Sequence, residues 1–392
     1  MKWTQAAAAI LAVLWLQSAA VRGAETEEAL VKQLRAVAQQ YDAIADRRLS
    51  QAANLPQVRD QYLNILRQAA ASGSKDQTMR EMAEVFVLSG GEPTVLAHWK
   101  EGLDLNSPEG KILDGVLSYG QGKTVEAEAK LLILDATGLD RWRGGHLALA
   151  QALLTVRTDP KRAFGFLKIA ALLLPGTLVE EAALRQSVIL AAKTGDAAEF
   201  SFAATSYFRR FPRSAYLGSF EAQAAFHLVH FADNNGVSIL QEMLRALPDG
   251  WGRCLACFLT TVAGQAILTG KVELAQIATA AAMPLVSSDS RERQRLMLYS
   301  GAAAILTDRF QDGLAALRSV NAAQLGEDDR VLLNATLAVA DKLRKTPVWF
   351  TELERDASAR PVKGNRGFPI DGRQEIARRA LADADAILKN AK

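Results

Sequence analysis

Five groups of side chains are of types that chemistry uses. Cys254 and Cys257 stand three apart, the spacing of a redox pair or of half a zinc site. They are the only two cysteines of the 392 residues, so a four-cysteine metal site is excluded, and they fall inside an apolar helical run from Trp251 to Leu268. Two small side chains on one helix face are the simpler reading, because redox CxxC motifs open a helix that follows a strand. His227 and His230 share the same spacing, but Phe226, Leu228, Val229 and Phe231 around them suit a packed helix, so core or interface histidines are expected. Gly122-Lys123-Thr124 has the end of a phosphate-binding loop without its beginning, since Leu117 occupies the position of the first glycine. Carboxylates such as Glu180 and Glu181 are plentiful, yet spacing alone does not make a catalytic pair. The sequence therefore leads us to expect no catalytic residues, no cofactor, no metal and no enzyme activity.

The fifth group is Arg209, Arg210 and Arg213 around Phe211-Pro212. Cations at the end of a helix complement its dipole. Arginines beside aromatic residues also serve as anchors for protein partners. Both readings stay open, and these three arginines are the candidate partner-binding residues.

The elements that carry these groups read as helices. Leu30, Leu34, Val37, Ala38, Tyr41 and Ile44 form one apolar stripe, and Phe200, Ala203, Ala204, Tyr207, Phe208 and Phe211 form another. Leu240, Met243, Leu244 and Leu247 repeat the pattern, as do Leu274, Ile277, Ala278 and Ala281. Pro175, Pro212, Pro248 and Pro284 recur at intervals of 37, 36 and 36 residues. Polar turns lie midway, at Thr158-Asp159-Pro160, Thr194-Gly195-Asp196, Asn234-Asn235-Gly236 and Thr269-Gly270-Lys271. Gly120-Gln121-Gly122 and Thr307-Asp308-Arg309 hold the same phase. Helix, short turn, helix, proline is the unit of a tetratricopeptide-like array, in which a hairpin buries its stripe only against its neighbours. The expected fold is all-α, a tetratricopeptide-like solenoid of stacked helical hairpins with atypical helical ends.

Composition narrows the partners. A net charge of +3, with both signs interspersed, gives no reason to expect nucleic acid or an anionic membrane. Lys2, the apolar run Ala6–Leu16 and the small residues that follow have the layout of a secretory signal peptide over residues 1–23, with cleavage after Ala20 or Gly23. The run is too short to span a bilayer, so export without stable membrane insertion is expected. The apolar stretch Ile169–Leu174 reads as a buried helix end. Residues 24–105 read as an N-terminal helical region, 106–345 as the repeat array, 346–371 as an extended linker and 372–392 as a C-terminal helix.

The segment Leu172–Gln223 resembles the chemotaxis protein MotC family. Leu174-Pro175-Gly176-Thr177-Leu178-Val179-Glu180-Glu181-Ala182-Ala183-Leu184-Arg185 and Tyr207-Phe208-Arg209-Arg210-Phe211-Pro212 carry most of the likeness. The resemblance implies a periplasmic flagellar motor protein needed for flagellar rotation, whose partner is the periplasmic part of the stator protein MotB. It implies no catalytic residues. The alternative is a periplasmic repeat adaptor serving another envelope complex.

Overall fold

The computed structural model describes residues 27–40, 55–231, 235–247 and 252–345; the expected signal peptide, linker and C-terminal helix lie outside them. The described residues are helical throughout and contain no strand. The chain divides into two compact units, Met1–Phe220 and Glu221–Lys392.

The first unit begins with α1 (residues 27–40), α2 (Leu55–Ala71) and α3 (Gln77–Leu88). A 3-10 turn and the short α4 (Ala97–Lys100) lead to hairpins α5/α6 (Pro108–Gly120, Thr124–Leu131), α7/α8 (Arg141–Thr155, Pro160–Leu173) and α9/α10 (Leu178–Thr194, Ala197–Arg210). The hairpins follow from local chemistry. Asp140, Asp159 and Asp196 each place a carboxylate over free N–H groups at the start of α7, α8 and α10. Gly195 closes α9 at φ +71°, a conformation that glycine adopts without strain. Pro175 and Pro212 stop the second helix of their pairs. Each hairpin then packs on the next, α7 against α8, α8 against α9 and α9 against α10, so the stacked-hairpin solenoid is the architecture present.

Close approach of helices depends on missing side chains. A Cβ at Gly144 would lie 2.2 Å from the Ala136 carbonyl oxygen, so α7 sits against the preceding turn only with glycine there. On α10 the whole expected stripe, Phe200 to Phe211, is buried. On α8, Ala163, Leu167, Ala170 and Leu174 face inward, but Leu172 is 78% exposed, contrary to the expected buried end. Six apolar residues in a row, Ile169–Leu174, cannot share one helix face, and Leu172 falls about half a turn from the buried stripe.

The division between units falls within α11 (Leu217–Val229). The second unit holds α12 (Gly236–Ala246), α13/α14 (Gly252–Leu268, Val272–Ala282), α15/α16 (Arg291–Ala304, Phe310–Ser319) and α17 (Glu327–Lys345). Phe258, Leu274 and Leu296 lie in its core. Tyr299 donates a hydrogen bond to Asp329 (2.5 Å) and Arg295 pairs with the same carboxylate (2.8 Å), tying α15 to α17.

Candidate partner-binding site

Three grooves in the first unit are deep enough to receive another molecule's side chains, and they differ in charge. The first runs along the first helices of the hairpins. Trp142, His146 and Leu149 of α7 and Leu178, Val179, Ala182 and Arg185 of α9 form one wall. Arg59, Tyr62 and Phe86 from α2 and α3 form another, Tyr216 closes an end, and the groove offers about 200 Å³. Tyr62 stacks on Phe86 with ring centres 5.1 Å apart and donates to the Met82 carbonyl (3.2 Å), which fixes the floor.

Arg185 lies with its guanidinium 4.5 Å over the Tyr216 ring. That ring is held by a chain of hydrogen bonds starting at Glu181, which is fully buried one turn before Arg185. Glu181 accepts from the Tyr207 hydroxyl at 2.6 Å and from the Ser214 hydroxyl, and the Ser214 oxygen accepts the Tyr216 backbone N–H at 3.0 Å. Burial, with the Glu181 carboxylate beside it, raises the Tyr207 hydroxyl far above the ordinary phenol range, so it stays a donor. Tyr207 is itself stacked on Phe220 at 3.7 Å. A carboxylate in the core of the α9/α10 hairpin thus orients the aromatic partner of a groove arginine.

His146 is buried at the groove base. Its Nδ1 lies 2.9 Å from the Trp142 carbonyl, which can only accept, so Nδ1 carries the hydrogen. Burial pushes its pKa down to about 4, against the opposing pull of that backbone bond, and the ring is neutral near pH 7. Arg59 donates to the Gly90 carbonyl. The lining therefore carries two arginines and no carboxylate.

The second groove lies beside it, lined by Arg35 and Arg143 together with Glu81 and Asp140. Here Arg143 reaches Glu84 (2.8 Å), Glu109 (3.0 Å) and Glu81 (3.1 Å), and Arg80 reaches Glu109 (2.9 Å) and Glu84 (3.5 Å). Burial raises the Glu84 carboxyl to about 7, although Arg143 and Arg80 both pull it down.

The third groove, on α8, α9 and α10, is flanked by the exposed Leu172 and Phe202. Its charges cancel in pairs, Lys168 with Glu199 (2.8 Å) and Arg210 with Glu180 (2.6 Å). Glu180 also accepts the Gly176 N–H at 2.6 Å, next to the Thr177 cap of α9.

Of the sequence candidates, Arg210 is thus bound within the fold as a strut between α10 and α9. Arg209 and Arg213 are exposed, and neither forms an ion pair among the described residues. Arg213 sits in the loop that ends with Tyr216, so it borders the first groove in sequence while Arg210 faces the third. Gly122, at φ +72°, makes a hairpin turn between α5 and α6, and Lys123 pairs with Glu126 at 3.9 Å. His230 is exposed and stacked on Phe226 at 4.3 Å rather than buried, whereas His227 is half-buried. Cys257 is half-buried on α13, and the Cys254 side chain lies outside the described residues. Among the described residues no group of three His, Cys, Asp or Glu side chains is placed to hold a metal, and no helix is long and apolar enough to cross a membrane. Trp142, Arg185 and Tyr216 escaped the sequence reading. The one available signal was Arg185 four residues after Glu181, both on a helix with apolar residues around them.

The chain matches the family model described as chemotaxis protein MotC over residues 2–392. A curated relative, chemotaxis protein MotC of Rhizobium meliloti (strain 1021), is 30% identical over 288 residues. That alignment covers 72% of this chain and 65% of the relative, so the matched part spans less than two thirds of the relative's length.

Proposed function

The chain belongs to the chemotaxis protein MotC family, and from that premise we propose that it is a periplasmic motor protein needed for flagellar rotation. It works by binding, and its partner is the periplasmic part of the stator protein MotB, which it stabilises or orients. The family match across residues 2–392 carries this reading. Stacked hairpins support it physically, because they hold side chains from successive helices along one preformed groove. Arg209 and Arg213, exposed on and beside the second helix of a hairpin, are further candidate contacts. The signal-peptide layout of residues 1–23 supports export, after which the rest of the chain works outside the inner membrane.

The test is direct. The chain recovered from the periplasm of an expressing cell is titrated calorimetrically with the purified periplasmic fragment of the stator protein. Saturable binding, with Kd on the order of tens of micromolar or tighter, is expected. Absence of the chain from the periplasm, or absence of heat at those concentrations, refutes the proposal.

A further inference from the structure

We propose that the groove between α7, α9 and the Ser214–Tyr216 loop docks an acidic segment of the partner, one carboxylate seated on Arg185 and a neighbouring apolar side chain laid against Trp142 and Leu149. The inference rests on the stator reading above and names the surface and the chemistry that reading leaves open.

Charge selects this groove from the three. The second is lined by two arginines and two carboxylates, and the third by Lys168 and Arg210 with Glu180 and Glu199. The first has Arg59 and Arg185 and no acidic side chain among its lining residues. Its occupant is therefore anionic where it touches the arginines.

Arg185 is singled out by what it lacks. Arg80, Arg143, Arg210 and Arg295 all reach carboxylates within the fold. The Arg185 guanidinium makes neither an ion pair nor a hydrogen bond among the described residues, and its Nε is shielded from solvent without an acceptor. A half-buried guanidinium stacked on an aromatic ring offers its remaining N–H fork to a planar acceptor, and a carboxylate matches that fork with two parallel bonds. The Glu181–Ser214–Tyr216 chain holds the ring beneath it in place before any partner arrives, which lowers the ordering cost of association.

The remaining walls set the neighbour of the carboxylate. Trp142, Leu149, Leu178 and Ala182 present apolar surface within the same groove, and neutral His146 adds no charge to it. An acidic residue adjacent to a leucine- or phenylalanine-like one fits both halves, and an all-acidic stretch fits only one.

The experiment uses the chain recovered from the periplasm, the stator's periplasmic fragment as probe, and the variants Arg185→Gln, Arg59→Gln and Lys193→Gln. Lys193 is exposed on α9 and does not line the groove. Arg185→Gln should weaken binding by about tenfold or more, equivalent to ~1.4 kcal/mol. Arg59→Gln, at an exposed position that does not threaten folding, should weaken it by about threefold or more, while Lys193→Gln stays within about twofold of wild type. The Trp142 indole N–H resonance, assigned from Trp142→Phe, should move on saturation. Wild-type binding that both arginine variants leave unchanged, or a Trp142 signal that stays in place at saturation, overturns the groove and leaves the stator reading standing. No wild-type binding overturns the stator reading itself, and the groove's assignment with it. A dimer of the chain that Arg185→Gln dissociates in sedimentation overturns the assignment by placing a second copy in the groove.

Discussion

Replacing Glu84 by Gln should remove a defined part of the chain's pH dependence. Glu84 lies on α3 with 1% of its side chain exposed, 2.8 Å from Arg143 and 3.5 Å from Arg80. Burial lifts its carboxyl from 4.5 to about 7, with the two arginines acting in the opposite sense. In the unfolded chain the same group titrates near the ordinary value. Between the two pKa values the native state therefore holds a proton that the unfolded chain has released, and stability falls as pH rises. The contribution is fully present below about 4.5 and gone above about 7. At about 1.4 kcal/mol per pKa unit, the displacement amounts to ~3 kcal/mol. Gln has the shape of the protonated acid and does not titrate. The stability of Glu84→Gln relative to wild type should therefore improve by ~3 kcal/mol between about pH 4 and pH 8. Urea unfolding followed by tryptophan fluorescence suits the measurement, because Trp99 and Trp142 belong to the same unit as Glu84. Parallel stability–pH curves for the two proteins, or a difference of the opposite sign, would refute the reasoning.

Three further substitutions probe the frame of the site. Gly144→Ala drives a methyl group onto the Ala136 carbonyl and should cost about 1–3 kcal/mol in denaturant unfolding; an unchanged midpoint would show that the contact relaxes freely. Tyr207→Phe removes one of the two hydroxyl donors to the buried Glu181 and should cost about 1–3 kcal/mol by the same assay, with no loss counting against the Glu181 hub. Arg210→Ala separates a half-exposed cation from Glu180 and should cost ~1 kcal/mol or less, while stator-fragment affinity stays near wild type if its role is that of a strut.

How much of this was legible in the sequence depends on the range of the interaction. Turns and helix ends are local. Asp159, Asp196 and Gly195 act within a few residues of their own positions, and Pro175 and Pro212 stop helices wherever they occur, so the hairpins could be read off directly. The stripe on α10 was equally clear, since a 3.6-residue period needs no knowledge of the partner helix. The apolar run ending α8 was misleading because it covers every face of the helix, and only the stack decides that Leu174 is buried and Leu172 is not. The groove was hidden for the same reason. Trp142, Arg185 and Tyr216 come from different hairpins and loops, and only stacking brings them onto one surface. Arg210 and Arg185 look alike in a sequence. One meets a carboxylate from a neighbouring helix and the other does not, and that difference separates a strut from a contact.

The family resemblance read from Leu172–Gln223 acquires a physical content in the same way. Gly176, Thr177 and Glu180 build the start of α9, Glu181 anchors Tyr207 and Ser214, and Arg185 emerges one turn later at the groove. These residues form a scaffold for one surface.

Motility of a strain lacking this chain tests the central claim most directly. Cells that assemble flagella but do not rotate them, with swimming restored by the wild-type chain and only weakly by Arg185→Gln, are the predicted result. A deletion strain that swims at the parental speed contradicts the account.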